Sequence, residues 1–112
     1  MENYMSYSVA ELKKKLSEND IRLMFEKMEQ DGFWEEIYAI LPNVNKNTST
    51  QIPFLAGEIQ KKTETIKQLE ENKQAILLAI FKKTVESATS LEEIFSDSVI
   101  ADAIKERVFS QR

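Results

Sequence analysis

The apolar residues of this chain fall three and four positions apart over most of its length, the spacing that gathers them on one face of an α-helix. Tyr4, Met5 and Tyr7 precede the regular pattern and read as an N-terminal arm over residues 1–7. Ser8 and Glu11 then stand in the Ser-x-x-Glu spacing of a capping box. In that motif the hydroxyl takes an orphan backbone N–H and the glutamate reaches back to the cap. The pattern over residues 8–41 predicts three short helices. The first carries Val9, Leu12 and Leu16. The second is opened by Asn19 or Asp20 and carries Ile21, Met24, Phe25 and Met28 as its apolar stripe. Met24, Phe25 and Met28 are expected on the buried side, Glu26 and Glu29 in solvent, and Gly32 is placed to end the helix. The third presents Phe33, Trp34, Ile37, Tyr38 and Leu41 and stops at Pro42. Residues 42–51 form the one evident loop, polar from Asn43 to Gln51 except at Val44.

A much longer helix is predicted over residues 52–88. Pro53 suits its first turn, where a missing N–H costs nothing, and no later proline interrupts it. With heptad positions a at 52, 59, 66, 73 and 80 and d at 55, 62, 69, 76 and 83, seven of the ten are apolar. The seam is made by Leu55, Ile59, Ile66, Leu69, Ile76 and Ile80 behind Ile52, and its exceptions are Lys62, Lys73 and Lys83. From Glu58 to Gln74 every position off the seam is polar, threonine methyls aside. Ala75 to Phe81 is apolar all round, as expected of a helix enclosed by neighbours. At 1.5 Å per residue, residues 54–87 would span about 51 Å. A compact domain of this length is only about 35 Å across. The helix is therefore expected either to break near Asn72 or to project with its seam open to a partner. Self-association as a homodimer through the seam follows as the expectation.

Ser90 and Glu93 repeat the capping-box spacing, and Ser96, Asp97 and Ser98 offer a further cap, which places C-terminal helices over residues 90–109. Only two glycines and two prolines occur in 112 residues. All-β and α/β folds need many tight turns, so this scarcity supports an all-α fold. The expected architecture is a single domain, a small bundle of five to six helices organised around the long amphipathic, coiled-coil-like helix.

Charge and side-chain chemistry narrow the function. The net charge is −4, from 15 basic and 19 acidic residues, which weighs against a polyanionic partner. A nucleic-acid regulator with an N-terminal helical head and a dimerising helix is the first alternative. It is opposed by Asp20, Glu26, Glu29, Glu35 and Glu36 on the helices that would meet phosphate. With no histidine and no cysteine, Ser–His and Cys–His nucleophile systems and zinc sites are excluded. A carboxylate- and Mg²⁺-dependent helical hydrolase, the second alternative, would need Glu26, Glu29 and Glu93 to converge. The longest apolar run, Ala75 to Phe81, is far short of the ~20 residues that cross a bilayer. The start of the chain also lacks the basic and apolar regions of a secretory signal, so a cytoplasmic protein without a membrane span is expected.

Phe33, Trp34 and Tyr38 form an aromatic group on a short helix; aromatics at helical spacing more often belong to the core, and the alternative is a second candidate interface beside the seam. The reading as a whole is of a non-enzymatic protein–protein interaction module, an adaptor, assembly factor, chaperone-like subunit or small inhibitor. It would need no cofactor or metal, act through helical packing, and form a homodimer with a further protein partner.

Overall fold

The capping box at Ser8 forms as its spacing predicts. Ser8 Oγ accepts from the Glu11 N–H at 3.2 Å, and Glu11 Oε1 accepts from the Ser8 N–H at 3.4 Å. The helix it opens, α1, then runs without interruption from Val9 to Ile40, 32 residues in a computed structural model that describes residues 3–88 and 90–110. The three short helices expected over residues 8–41 are thus one. Asn19 does not cap: its Nδ2 donates to the Leu69 carbonyl at 2.9 Å. Gly32 does not adopt the left-handed backbone that would end a helix. It lies inside α1, where a single glycine costs roughly 1 kcal/mol and is tolerated. A 3₁₀ turn at Leu41–Asn43 carries Pro42 and closes the run.

The connection is held by Asn45, whose Oδ1 accepts from the Asn47 and Thr48 N–H groups at 2.8 and 3.1 Å. Helix α2 then runs from Gln51 to Ser87, 37 residues, with Pro53 in its first turn and no break at Asn72. Ser90 Oγ accepts from the Glu93 N–H and opens α3, Leu91–Ser96. Helix α4, Ser98–Ser110, is capped by Asp97, whose Oδ1 accepts from the N–H groups of Val99 and Ile100 at 3.0 and 3.3 Å. The described residues therefore form an all-α fold of four α-helices, two of them long, rather than five or six around one.

The chain divides into two compact units, and α1 and α2 contribute to both. Unit 1 comprises residues 1–18 and 73–112. Its core is Leu12 and Leu16 of α1 against Ile76, Ala79 and Ile80 of α2, with Tyr4, Tyr7, Val9, Leu77 and Val99 packed around them. The N-terminal tyrosines thus rest on their own chain. Lys13 Nζ bonds Asp97 Oδ2 at 2.9 Å, so one carboxylate caps α4 with one oxygen and ties it to α1 with the other. Burial works against ionisation of Asp97, but the Lys13 ammonium and the Ile100 and Val99 N–H groups outweigh it and hold the carboxyl below its usual range.

Unit 2 comprises residues 19–72, an antiparallel hairpin of the remaining lengths of α1 and α2. At its loop end Ile37 packs on Leu55 and Ile59, flanked by Phe33 and Ile40. Leu23 and Leu69 are buried further along. Between these apolar points polar side chains span the helix pair. Gln30 Nε2 donates to Thr63 Oγ1 at 2.8 Å and to the Ile59 carbonyl at 3.2 Å.

Candidate protein-interaction surfaces

The seam on α2 is covered within the chain. Leu55, Ile59 and Leu69 are buried in unit 2, Ile76 and Ile80 in unit 1, and Ile66 is half-buried. A homodimer through these residues would have to open the packing just described. The expected choice between a break near Asn72 and a projecting seam omits what α1 supplies: residues 19–40 cover the very stretch expected to stand alone.

Lys62 occupies a seam position and is the polar centre of unit 2. Its Nζ lies 2.6 Å from Glu29 Oε2 and 2.9 Å from Glu26 Oε2. Lys62 and Glu26 keep only 20% and 17% side-chain exposure, so the pair sits in reduced dielectric, where such contacts are stronger than in open water. The hydrogen bond to Glu29 and then that to Glu26 raise the lysine pKa above its usual 10.5 against the opposing effect of burial. Both glutamates thereby reach Lys62 of α2: Glu26 is drawn out of solvent, against expectation, while Glu29 stays on the solvent side as expected, its side chain 57% exposed. As candidate magnesium ligands they are already occupied by an ammonium group. Glu93 lies in unit 1, and among the described residues no group of three or more acidic side chains is arranged to hold a metal ion.

With Glu26 facing inward, the stripe beside it faces outward. Ile21, Met24, Phe25 and Met28 are 53%, 52%, 53% and 59% exposed, the reverse of the buried side expected of them. At 100° per residue these four lie about 180° round the helix from Leu23, Gln30 and Ile37, which meet α2. This half of α1 therefore has two faces. One is sparse and polar-laced and is packed on α2; the other is densely apolar and exposed among the described residues.

Comparison with family models, with curated proteins and with solved structures finds no match for this chain. The surfaces themselves then carry the functional reading.

Of the aromatic group, Phe33 packs against the Ile37–Leu55–Ile59 cluster, while Trp34 and Tyr38 stack at 6.0 Å on the exposed side. Trp34 is 42% and Tyr38 63% exposed. Several lysines off the seam are engaged within the chain: Lys13 with Asp97, Lys15 over the Tyr7 ring at 4.5 Å, and Lys61 with Glu58.

Unit 1 holds a second apolar surface. Ala75 to Phe81, expected to be enclosed, buries only part of its circumference: Leu78 and Phe81 stay exposed, and Val85 continues their line one turn on. Leu78, Phe81, Ala103 and Ile104 line an open groove of about 1130 Å³ between α2 and α4. Its rim mixes Asp102, Lys105, Glu106 and Arg107, which gives no single sign of charge. No helix among the described residues is long and apolar enough to cross a membrane.

Proposed function

We propose that this protein is a non-enzymatic interaction module that binds another protein through the outer face of α1. The single observation that carries the reading is the exposed stripe Ile21–Met24–Phe25–Met28, on the side of the helix opposite its contact with α2. Four large apolar side chains, each more than half exposed, present on the order of 400 Å² in one patch, a size that on monomeric proteins is often functional. Their i, i+3, i+4, i+7 spacing is the anchor pattern of helix-to-helix recognition. Methionine suits such a face, because its unbranched thioether adapts to an irregular partner surface.

The test is a photo-crosslinking amino acid placed at Phe25 and, as a control, at the exposed Lys67 of α2, each in the full chain within its native cell extract. A discrete adduct at position 25, absent at 67 and removed by Met28→Asp, supports the reading. Equal adducts at the two positions sink it, since the stripe would then be no more than ordinary exposed surface.

A further inference from the structure

Resting on the interaction reading above, we propose that the α1 face selects for charge: its occupant is an amphipathic helix of another protein whose apolar stripe is followed by lysine or arginine. The apolar face does not end neutrally. Asp31, Gly32 and Glu35 stand three, four and seven residues beyond Met28, which keeps them on the same side of the helix. Asp31, Glu35 and the neighbouring Glu36 are exposed. Over residues 19–40 of α1 there are six acidic side chains and two basic ones, and Lys27 of those two is turned to Glu70 of α2 at 3.3 Å. The same imbalance holds for the whole unit. Unit 2 carries ten acidic and six basic residues, whereas unit 1 carries nine of each, so the net charge of −4 belongs to the unit that bears the stripe.

A partner must therefore satisfy two conditions at once. Its side chains must meet Ile21, Met24, Phe25 and Met28 at helical spacing, and its end beside Asp31 and Glu35 must be cationic to avoid like-charge contact, which costs several kcal/mol at an interface. A second copy of this chain meets the first condition and brings the same acidic surface to the contact. A lipid surface is matched poorly for the same reason, because helices that lie on anionic membranes carry lysine and arginine beside the apolar face.

The probes are two dye-labelled synthetic helical peptides of about 18 residues, long enough to cover the stripe and its acidic end. Both carry leucine at i, i+3, i+4 and i+7. One carries lysine at the flanking positions and the other glutamate. Anisotropy titrations against the full chain should show saturable binding of the lysine peptide, at least ~10-fold tighter than the glutamate peptide and weakened by added salt. Phe25→Ala should weaken that binding. Asp31→Lys with Glu35→Lys should reverse the preference between the peptides. These side chains are exposed, so unchanged thermal unfolding of the variants separates lost binding from lost folding. Equal affinity for the two peptides, or no binding of the lysine peptide, overturns the charge selection. In either case a position-25 adduct in the crosslinking experiment would leave the broader interaction reading standing. Partition of the unlabelled chain onto zwitterionic vesicles, lost in Phe25→Ala, would overturn it in favour of a lipid surface.

Discussion

Lys62 carries the charge at the contact between α1 and α2. A lysine at a coiled-coil core position is tolerated when its charge is met, and here two carboxylates on the facing helix meet it at 2.6 and 2.9 Å. Removing it leaves Glu26, 17% exposed, without its cation. A fully buried pair broken in this way costs 3–5 kcal/mol. Because Lys62 keeps 20% exposure and Glu29 57%, Lys62→Met should cost less, about 1–2 kcal/mol at neutral pH by urea unfolding. The dependence on pH follows from the direction of the lysine shift. The folded chain holds the Lys62 proton more tightly than the unfolded chain, so the contribution is complete below about 10.5 and is lost as pH rises through the raised folded value. The stability gap between the wild type and Lys62→Met should narrow above pH 10.5; a gap unchanged there would show that the charge contributes little.

At the scale of the elements, what could be read from residue spacing was whatever depends on neighbours in sequence. Ser8 with Glu11, Ser90 with the Glu93 N–H, the cap at Asp97, Pro42 at the end of α1 and Pro53 in the first turn of α2 are all local chemistry, and all are found where the spacing places them. The division of residues 8–41 into three helices relied on Asn19 and Gly32 acting as local stops, and tertiary contact overrides both: Asn19 bonds Leu69 across the hairpin, and the cost of one glycine is small beside the packing of a whole helix. The orientation of α1 was illegible for a different reason. Its denser apolar stripe is the exposed one, while the face packed on α2 is spelled with Asn19, Glu26 and Gln30, whose partners lie some 30 to 50 residues away in sequence. An apolar count therefore picks the wrong side of α1 as the buried one. Gly32 offers a check on the continuous helix. A methyl group there would meet nothing within 4 Å, and the backbone needs no positive φ, so Gly32→Ala should stabilise the chain by about 0.5–1 kcal/mol and raise Tm by a few degrees. A fall in Tm would mean that a helix end or bend at Gly32 is needed after all.

For the whole molecule the question is what the chain's apolar residues are for, and burial answers it differently for the two stripes. The α2 seam is buried within the chain, whereas the α1 stripe is exposed and is the face proposed above to meet a partner. The expectation of a homodimer rested on a seam with no intramolecular partner, and five of its six residues are buried within a single chain. The exposed α1 stripe alone, on the order of 400 Å², is about half of the ~800 Å² per partner that a stable specific interface buries. It also lies in the acidic unit. Light scattering in line with size exclusion should therefore give a mass near 13.0 kDa across a wide concentration range. Two aspartate substitutions sharpen the point. Leu69 is 4% exposed, so Leu69→Asp places an unpaired charge in the hairpin core and should unfold much of the population, by circular dichroism. Phe25 is 53% exposed, so Phe25→Asp should leave stability within about 0.5 kcal/mol and mass unchanged while abolishing capture at the α1 face. A 26 kDa species in the wild type that Phe25→Asp converts to monomer would make a second copy the occupant of that face, whereas one that persists in Phe25→Asp would return the search to the α2–α4 groove.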